Sequence, residues 1–390
     1  MVRGFALFGV LLVNMFNFGA YSPIWTGTSD RVAFSVMRFL FETKSWRIFS
    51  LLFGLGFSLQ LLRAQARGGG FVPVYLRRLG ALFLIGMGHA LLFPGDVLVV
   101  YAELGLVLLV SWKVRPRVLL GLAVALLAVF PLGRAANAAV THTAVVTEQA
   151  VDLARAQVMN DELRRTHPYA VGSVADVVRA NAQVIPAHPL GRPLGAESVV
   201  GFFAMFLLGL YAGKREFFLD IDRHSRLFRR LVMWGLPLGV AAMVVERAIA
   251  LGLIFEVAAE TGPSPAMGLL RDLAFAYGST ALSLGYAAAI ALLATASRVQ
   301  WLLEPLGRVG RLGLTVYLTQ TLVFTTLFYG YGLGQAFRMG PAAVTACAVL
   351  IFGLQIIACT WWVRRFRYGP VEWLWRGVTY LKFPPMRVGT

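Results

Sequence analysis

Residues 77–101 read RRLGALFLIGMGHALLFPGDVLVVY, two apolar runs meeting at a Pro94-Gly95 turn. Extended to 74–93 and 97–112, the runs approach the about 20 apolar residues that a bilayer crossing takes. The pair predicts a hairpin of two membrane helices, with His89 near the end of the first and Asp96 as N-cap of the second. Eight further apolar runs continue the pattern at 4–20, 47–62, 118–134, 198–213, 231–253, 272–296, 312–330 and 341–362. The expected fold is therefore an all-α integral membrane protein of about ten transmembrane helices.

Composition agrees with that class. Of 390 residues, 58% are hydrophobic and 14% charged, and the mean hydropathy is +0.70, which excludes an ordinary soluble enzyme. The 36 Lys and Arg against 19 Asp and Glu give a net charge of +17. Nucleic acid is not the expected partner, because so few charges among so many apolar residues build no aqueous basic face. The excess sorts by membrane side instead. With ten crossings and the N-terminus inside, Arg3, Arg63, Arg67, Arg77, Arg78, Lys113, Arg115, Arg117 and the basic residues of 214–230, 298–311 and 364–387 all fall on the cytoplasmic side. Both termini are thus expected in the cytoplasm.

The division expected is a five-helix half over 1–134, one long extracytoplasmic loop over 135–197, a second five-helix half over 198–363 and an interfacial tail over 364–390, all one membrane domain. Segment 31–47 alternates apolar residues with charges, as a helix lying on the outer surface does. The first run lacks a small-residue cleavage pattern and reads as a retained helix. Cys347 and Cys359 lie in one apolar run and read as small core residues. His142, His167 and His188 fit no ligand spacing, so no metal is expected. Gly68-Gly69-Gly70 lies between two membrane helices and reads as a connector. A Walker loop and a dinucleotide fingerprint are both missing, which argues against ATP drive and redox cofactors. No internal repeat is visible, which disfavours inverted-repeat transporters.

An ionisable side chain at membrane depth costs at least about 2.5 to 3.5 kcal/mol, so each is a candidate for function. Asn14, His89, Asp96, Glu103 and the Glu246-Arg247 pair qualify. The hairpin brings an imidazole and a carboxylate into one small volume, with Tyr101 and Glu103 one to two turns further along. Histidine accepts and returns a proton near neutral pH, and a neighbouring carboxylate fixes its tautomer. A core histidine beside a capping aspartate, a proton relay and a catalytic pair all remain open on residue chemistry alone.

Further motifs run through both halves: Arg3-Gly4-Phe5-Ala6-Leu7 with Asn14; Lys44 and Phe49-Ser50-Leu51-Leu52-Phe53-Gly54; Arg77-Arg78, Gly88-His89, Gly95-Asp96 and Tyr101. In the C-terminal half stand Gly310-Arg311-Leu312, Leu314-Thr315, Tyr317-Leu318 and Gln320, then Tyr368-Gly369-Pro370, Glu372-Trp373, Trp375-Arg376 and Thr379-Tyr380. With these blocks the chain resembles the YeiB-type family of bacterial membrane proteins. Members carry a few residues, typically with an Asp, ahead of Arg-Gly where this chain has Met1-Val2, so a longer native N-terminus is an open expectation.

The resemblance extends to the transmembrane acyltransferase superfamily that includes heparan-alpha-glucosaminide N-acetyltransferase. It implies transfer of an acyl group from cytosolic acyl-CoA, most simply acetyl-CoA as cosubstrate, to an extracytoplasmic acceptor: a sugar, a glycolipid or a small amine or alcohol. His89 matches the functional histidine, as general base or transient acyl carrier, with Asp96 orienting it and Tyr101 nearby. Arg77, Arg78, Arg311 and Arg376 are the candidates for the CoA phosphates, since guanidinium forks suit phosphate oxygens. Asn14, Lys44, Glu103 and Gln320 are further polar candidates. The resemblance implies the bacterial plasma membrane, with membrane lipids as partners; a homodimer stays an open alternative. The competing expectation is a proton-coupled transporter or lipid flippase working through His89, Asp96 and Glu103.

Overall fold

The structure is a computed structural model and describes residues 1–66, 68, 70–141, 153–184, 195–253 and 264–388. His142 and His188 lie outside the described residues. Among those residues the chain is helical, with no named strand and one isolated bridge between Phe366 and Arg387. Among the described residues, seven helical spans are long and apolar enough to cross a membrane, and three shorter apolar helices accompany them. This is a multi-pass membrane protein.

The ten apolar helices fall where the ten runs lie. The first half holds α1 (Val2–Phe16), α3 (Lys44–Ala66), α4 (Phe71–Ala90), α5 (Leu98–Ser111) and α6 (Pro116–Thr141). Between α1 and α3, α2 (Thr28–Leu40) is amphipathic and packs beside the later membrane helix α16, where Asp30 accepts the Ala342 N–H at 2.9 Å. The described part of the expected long loop is largely helical: the end of α6, then α7 (Leu153–Thr166), α8 (Pro168–Val171) and α9 (Val174–Val184). The second half holds α10 (Gly195–Lys214), α11 (Ser225–Arg230) leading through a π turn into α12 (Leu236–Ala250), and α13 (Pro265–Thr295). It continues with α14 (Gln300–Arg311), α15 (Gly313–Phe328), α16 (Pro341–Val363) and the tail helix α17 (Pro370–Tyr380).

Burial separates inner helices from outer ones. Over their most apolar windows α3, α10 and α13 are 56% buried, whereas α6 is 22% and the α11–α12 span 17% buried. The outer helices therefore present apolar side chains to lipid, which in water would be an aggregation face. Helices α3 and α10 cross closely because glycines remove side chains from the contact. A Cβ on Gly54 would strike the Phe206 carbonyl oxygen, and one on Gly209 the Leu51 carbonyl oxygen. Small residues at such crossings let backbones approach where lipid gives no hydrophobic drive to association.

At the basic end, α17 packs on α4 and α15. At the opposite end, α7–α9 form a lobe fastened by polar bonds. Asn160 and Arg164 donate to the Phe337 carbonyl, at 3.2 and 2.7 Å, and Asn181 donates to the Leu91 carbonyl at 2.9 Å. The Tyr169 ring stacks on Tyr329 at 4.9 Å, and Gly330 N–H donates to the Tyr169 carbonyl. These bonds give partners to backbone carbonyls at and beyond the helix ends, the Phe337 carbonyl taking two donors.

Candidate functional site

The hairpin of α4 and α5 places the imidazole and carboxylate in direct contact. Helix α4 ends one residue beyond His89, and the Leu92 and Phe93 N–H groups turn back onto the His89 carbonyl. After the Pro94-Gly95 turn, Asp96 Oδ2 accepts the Val99 N–H at 2.9 Å, serving the first turn of α5 although the formal cap is Val97. Its other oxygen, Oδ1, lies 2.7 Å from His89 Nδ1. Both residues are buried, at 6% and 3% exposure.

The third member comes from the other half of the chain. Thr321 Oγ1 on α15 sits 2.7 Å from His89 Nε2 and is 1% exposed. Four residues earlier on the same face of α15, the Tyr317 ring lies 5.0 Å from the imidazole. Its hydroxyl lies beside the Val97 amide but completes no hydrogen bond of good geometry. Above the histidine, Phe93, Phe324, Phe328, Phe18 and Tyr329 form an aromatic layer beneath the α7–α9 lobe. Such a layer keeps water from the pair and strengthens its electrostatics.

A cavity of about 150 Å³ reaches this site from the basic end. Its walls include Arg3, Gln60, Arg78, Glu372 and Trp375 as well as Trp46, Phe53, Tyr101, Val97 and Tyr317. His89, Asp96 and Thr321 are not in the lining; Tyr317 and Val97 stand between them and the space. The volume falls below the ~300–1,000 Å³ of pockets that enclose whole ligands.

Two arginines mark the basic side. Arg78 stacks on the Trp375 ring at 4.1 Å, while the Trp375 indole N–H donates to the Arg78 carbonyl at 2.9 Å. Arg3 contacts the Gly310 carbonyl at 3.5 Å, a marginal hydrogen bond. The nearby carboxylate of Glu372 is committed elsewhere: it accepts from Leu314 N–H, Thr315 N–H and Thr315 Oγ1, capping α15 from α17. A carboxylate there also complements the helix dipole. Among the described residues, neither Arg3 nor Arg78 forms an ion pair within 4.0 Å.

The other candidates are scattered. Tyr101 is on the cavity wall rather than on the histidine; its hydroxyl shares a 2.7 Å hydrogen bond with Ser50 Oγ. Arg77 donates to the Thr379 carbonyl at 3.1 Å and Arg311 to the Arg367 carbonyl at 3.2 Å, so both fasten backbone. Arg376 lies over the Tyr368 and Tyr380 rings, outside the lining. Gln320 ties α15 to Gln355 on α16 at 3.0 Å. Lys44 is buried at the start of α3 and donates to the Arg38 carbonyl at 3.2 Å. Asn14 is buried on α1, and Glu103 has one buried carboxylate oxygen without a partner.

Outside the spans, burial holds the His167 imidazole below its ordinary pKa. Burial also pushes the neighbouring Tyr169 phenol up to about 12. His167 Nδ1 accepts the Tyr169 N–H at 3.2 Å and so caps α8.

Sequence reasoning did not single out Thr321, Tyr317 or Arg3 for the site. Arg3 and Tyr317 stood in the motif blocks, and Thr321 lies four residues from Tyr317, the spacing that puts both on one helix face.

The family described as "Protein of unknown function (DUF418)" matches residues 212–382. The chain is 31% identical to the uncharacterized protein YxaH of Bacillus subtilis (strain 168), over 99% of this chain and 94% of that protein. It is 28% identical to the uncharacterized 39.9 kDa protein in the amylase 3' region of Bacillus acidopullulyticus, over 98% and 93%. It is 29% identical to the uncharacterized protein YeiB of Escherichia coli (strain K12), over 97% and 94%. No solved structure matches the chain.

Proposed function

The chain belongs to the YeiB-type (DUF418) family of multi-pass membrane proteins, and from that premise we propose that it is a membrane-embedded acyltransferase. It takes an acyl group, most simply acetyl, from cytosolic acyl-CoA and delivers it to an extracytoplasmic sugar, glycolipid or small amine or alcohol. The setting is the bacterial plasma membrane, with the basic end in the cytoplasm as the distribution of Lys and Arg favours.

One observation carries the reading: an apolar cavity begins at two arginines without carboxylate partners and ends against the residues that wall off a histidine-carboxylate pair. Charge and shape then divide the cosubstrate. The nucleotide phosphates remain at Arg3 and Arg78, with Arg376 adding positive field. The neutral pantetheine arm enters between helices. Arg78 and His89 are eleven residues apart on one helix, an axial rise of about 16 Å at 1.5 Å per residue, roughly half the ~30 Å hydrocarbon core and a distance an extended arm spans. At the cavity's end away from the arginines His89 moves the proton and Asp96 holds its tautomer.

The test is binding and thiol release with acetyl-CoA on purified, detergent-solubilised protein, beside His89→Ala. Saturable binding with His89-dependent thiol release is the expected result. No binding across several acyl lengths overturns the reading. That outcome favours the second one, a proton-coupled transporter, for which the unpartnered buried oxygen of Glu103 is the specific observation.

A further inference from the structure

The His89 ring has no free nitrogen. Nδ1 faces Asp96 Oδ1 and Nε2 faces Thr321 Oγ1, both at 2.7 Å. Proton positions follow from the acceptors. Asp96 Oδ2 is occupied by the Val99 N–H, and the carboxylate takes the Nδ1 proton on Oδ1. Nε2 is then the acceptor, and the Thr321 hydroxyl is its donor. The alternative acceptor for that hydroxyl, the Tyr317 carbonyl, lies at 3.5 Å, the edge of hydrogen bonding. A hydroxyl donating to an imidazole whose other nitrogen is held by a buried carboxylate is the arrangement of an activated oxygen nucleophile.

An incoming acceptor cannot give its proton to His89 while Thr321 occupies Nε2. Direct transfer requires Thr321 to leave; attack by Thr321 itself leaves the three residues in place and requires only that the Tyr317 and Val97 side chains part to admit the thioester. We propose, on the acyltransferase reading, that Thr321 is the acyl carrier, so that transfer runs through a threonyl ester. In the first half-reaction Oγ1 attacks the thioester carbonyl carbon, a C–O bond forms and the C–S bond breaks. The hydroxyl proton passes to His89 Nε2 and on to the departing thiolate, which leaves as the CoA thiol. In the second, an acceptor hydroxyl or amine attacks the ester carbon, its proton goes to His89, and Oγ1 recovers it as the ester bond breaks. The Tyr317 hydroxyl, on the cavity wall one helical turn from Thr321 and without a completed hydrogen bond, donates to the carbonyl oxygen as charge develops there.

The experiment mixes acetyl-CoA with purified protein in the absence of acceptor, follows thiol release from the first turnover, and maps the acid-quenched adduct by peptide mass. Wild type is expected to release a burst of one thiol per protein and to carry one acetyl group on the peptide containing Thr321. Thr321→Val, which keeps the shape and removes the hydroxyl, is expected to bind acetyl-CoA and lose the burst at least a hundredfold; Thr321→Ser restores burst and adduct. A burst persisting in Thr321→Val, or an acetyl group mapped to His89, overturns the carrier role and leaves the acyltransferase reading standing. Wild type that neither binds acetyl-CoA nor releases thiol overturns both.

Discussion

The two ends of the cavity are built to opposite rules. At the His89 end every hydrogen-bonding atom of the imidazole and of Asp96 on that face has a partner, and aromatic rings close it off. At the Arg78 end the guanidinium groups of Arg3 and Arg78 have aromatic or backbone company and no carboxylate within ion-pair distance, although Glu372 is close by. A satisfied, dry cluster is rigid and poised. Unpaired cations are an expense unless something else brings the negative charge. The difference teaches that one end is complete in the protein alone, while the other carries positive charge that, on the acyltransferase reading, the phosphates of the cosubstrate would meet.

The comparison breaks most visibly at the complete end. His89→Ala is expected to lower acyl transfer by about 10²–10⁴-fold. It also strands the buried Asp96 carboxylate, so melting temperature should fall; His89→Ala/Asp96→Ala should recover stability but not turnover. A double variant as unstable as the single one would deny that the lost stability comes from a stranded charge. At the open end, Arg3→Gln/Arg78→Gln is expected to raise the acetyl-CoA Kd by roughly tenfold or more, in line with ~1.5–3 kcal/mol for a charged hydrogen bond, and to flatten its salt dependence. Arg77→Gln, which loses only a backbone tie, should leave that affinity alone; equal losses in both variants would assign the cluster to topology.

Tyr317 lies between the two ends and sharpens the contrast. Tyr317→Phe removes a buried hydroxyl that completes no hydrogen bond. The expected pattern is higher stability, by about 1 kcal/mol, with kcat down about tenfold or more; unchanged kcat would remove the hydroxyl from the reaction. The smallest effect belongs to the α7–α9 lobe. Burial lowers the His167 pKa, so the unfolded lobe binds the proton more readily than the folded one. Amide protection in the lobe should be full above pH 6.5 and decline as the pH falls below it, and His167→Asn should flatten that slope. Protection that rises in acid would reverse the sign.

How much of this was legible depended on whether a signal was local. Hydropathy located ten apolar helices because lipid demands long apolar runs. His89 and Asp96 were legible because seven residues and one tight turn join them. Thr321 was not, since a threonine in an apolar helix costs little and meets His89 only through packing, across more than 200 residues. Arg3 was hidden among topology charges. The helices of 153–184 escaped because short polar helices held by side-chain bonds to distant carbonyls carry no long apolar stripe. Arg77 and Arg78 were indistinguishable as neighbours, and helical rotation sent one to a backbone carbonyl and the other to the cavity.

Glu372 and Trp375 stand with Arg3 in one wall, hundreds of residues away along the chain. A ribosome adding about 5–20 residues per second delivers these pieces some tens of seconds apart, and until α17 emerges and docks the N-terminus of α15 lacks its carboxylate cap and the cavity lacks a side. Nascent chains therefore have no finished compartment for a ligand during insertion. The compartment closes only when α17 docks, so a product cut short before residue 372 would sit in the bilayer with its earlier helices present and its compartment unsealed.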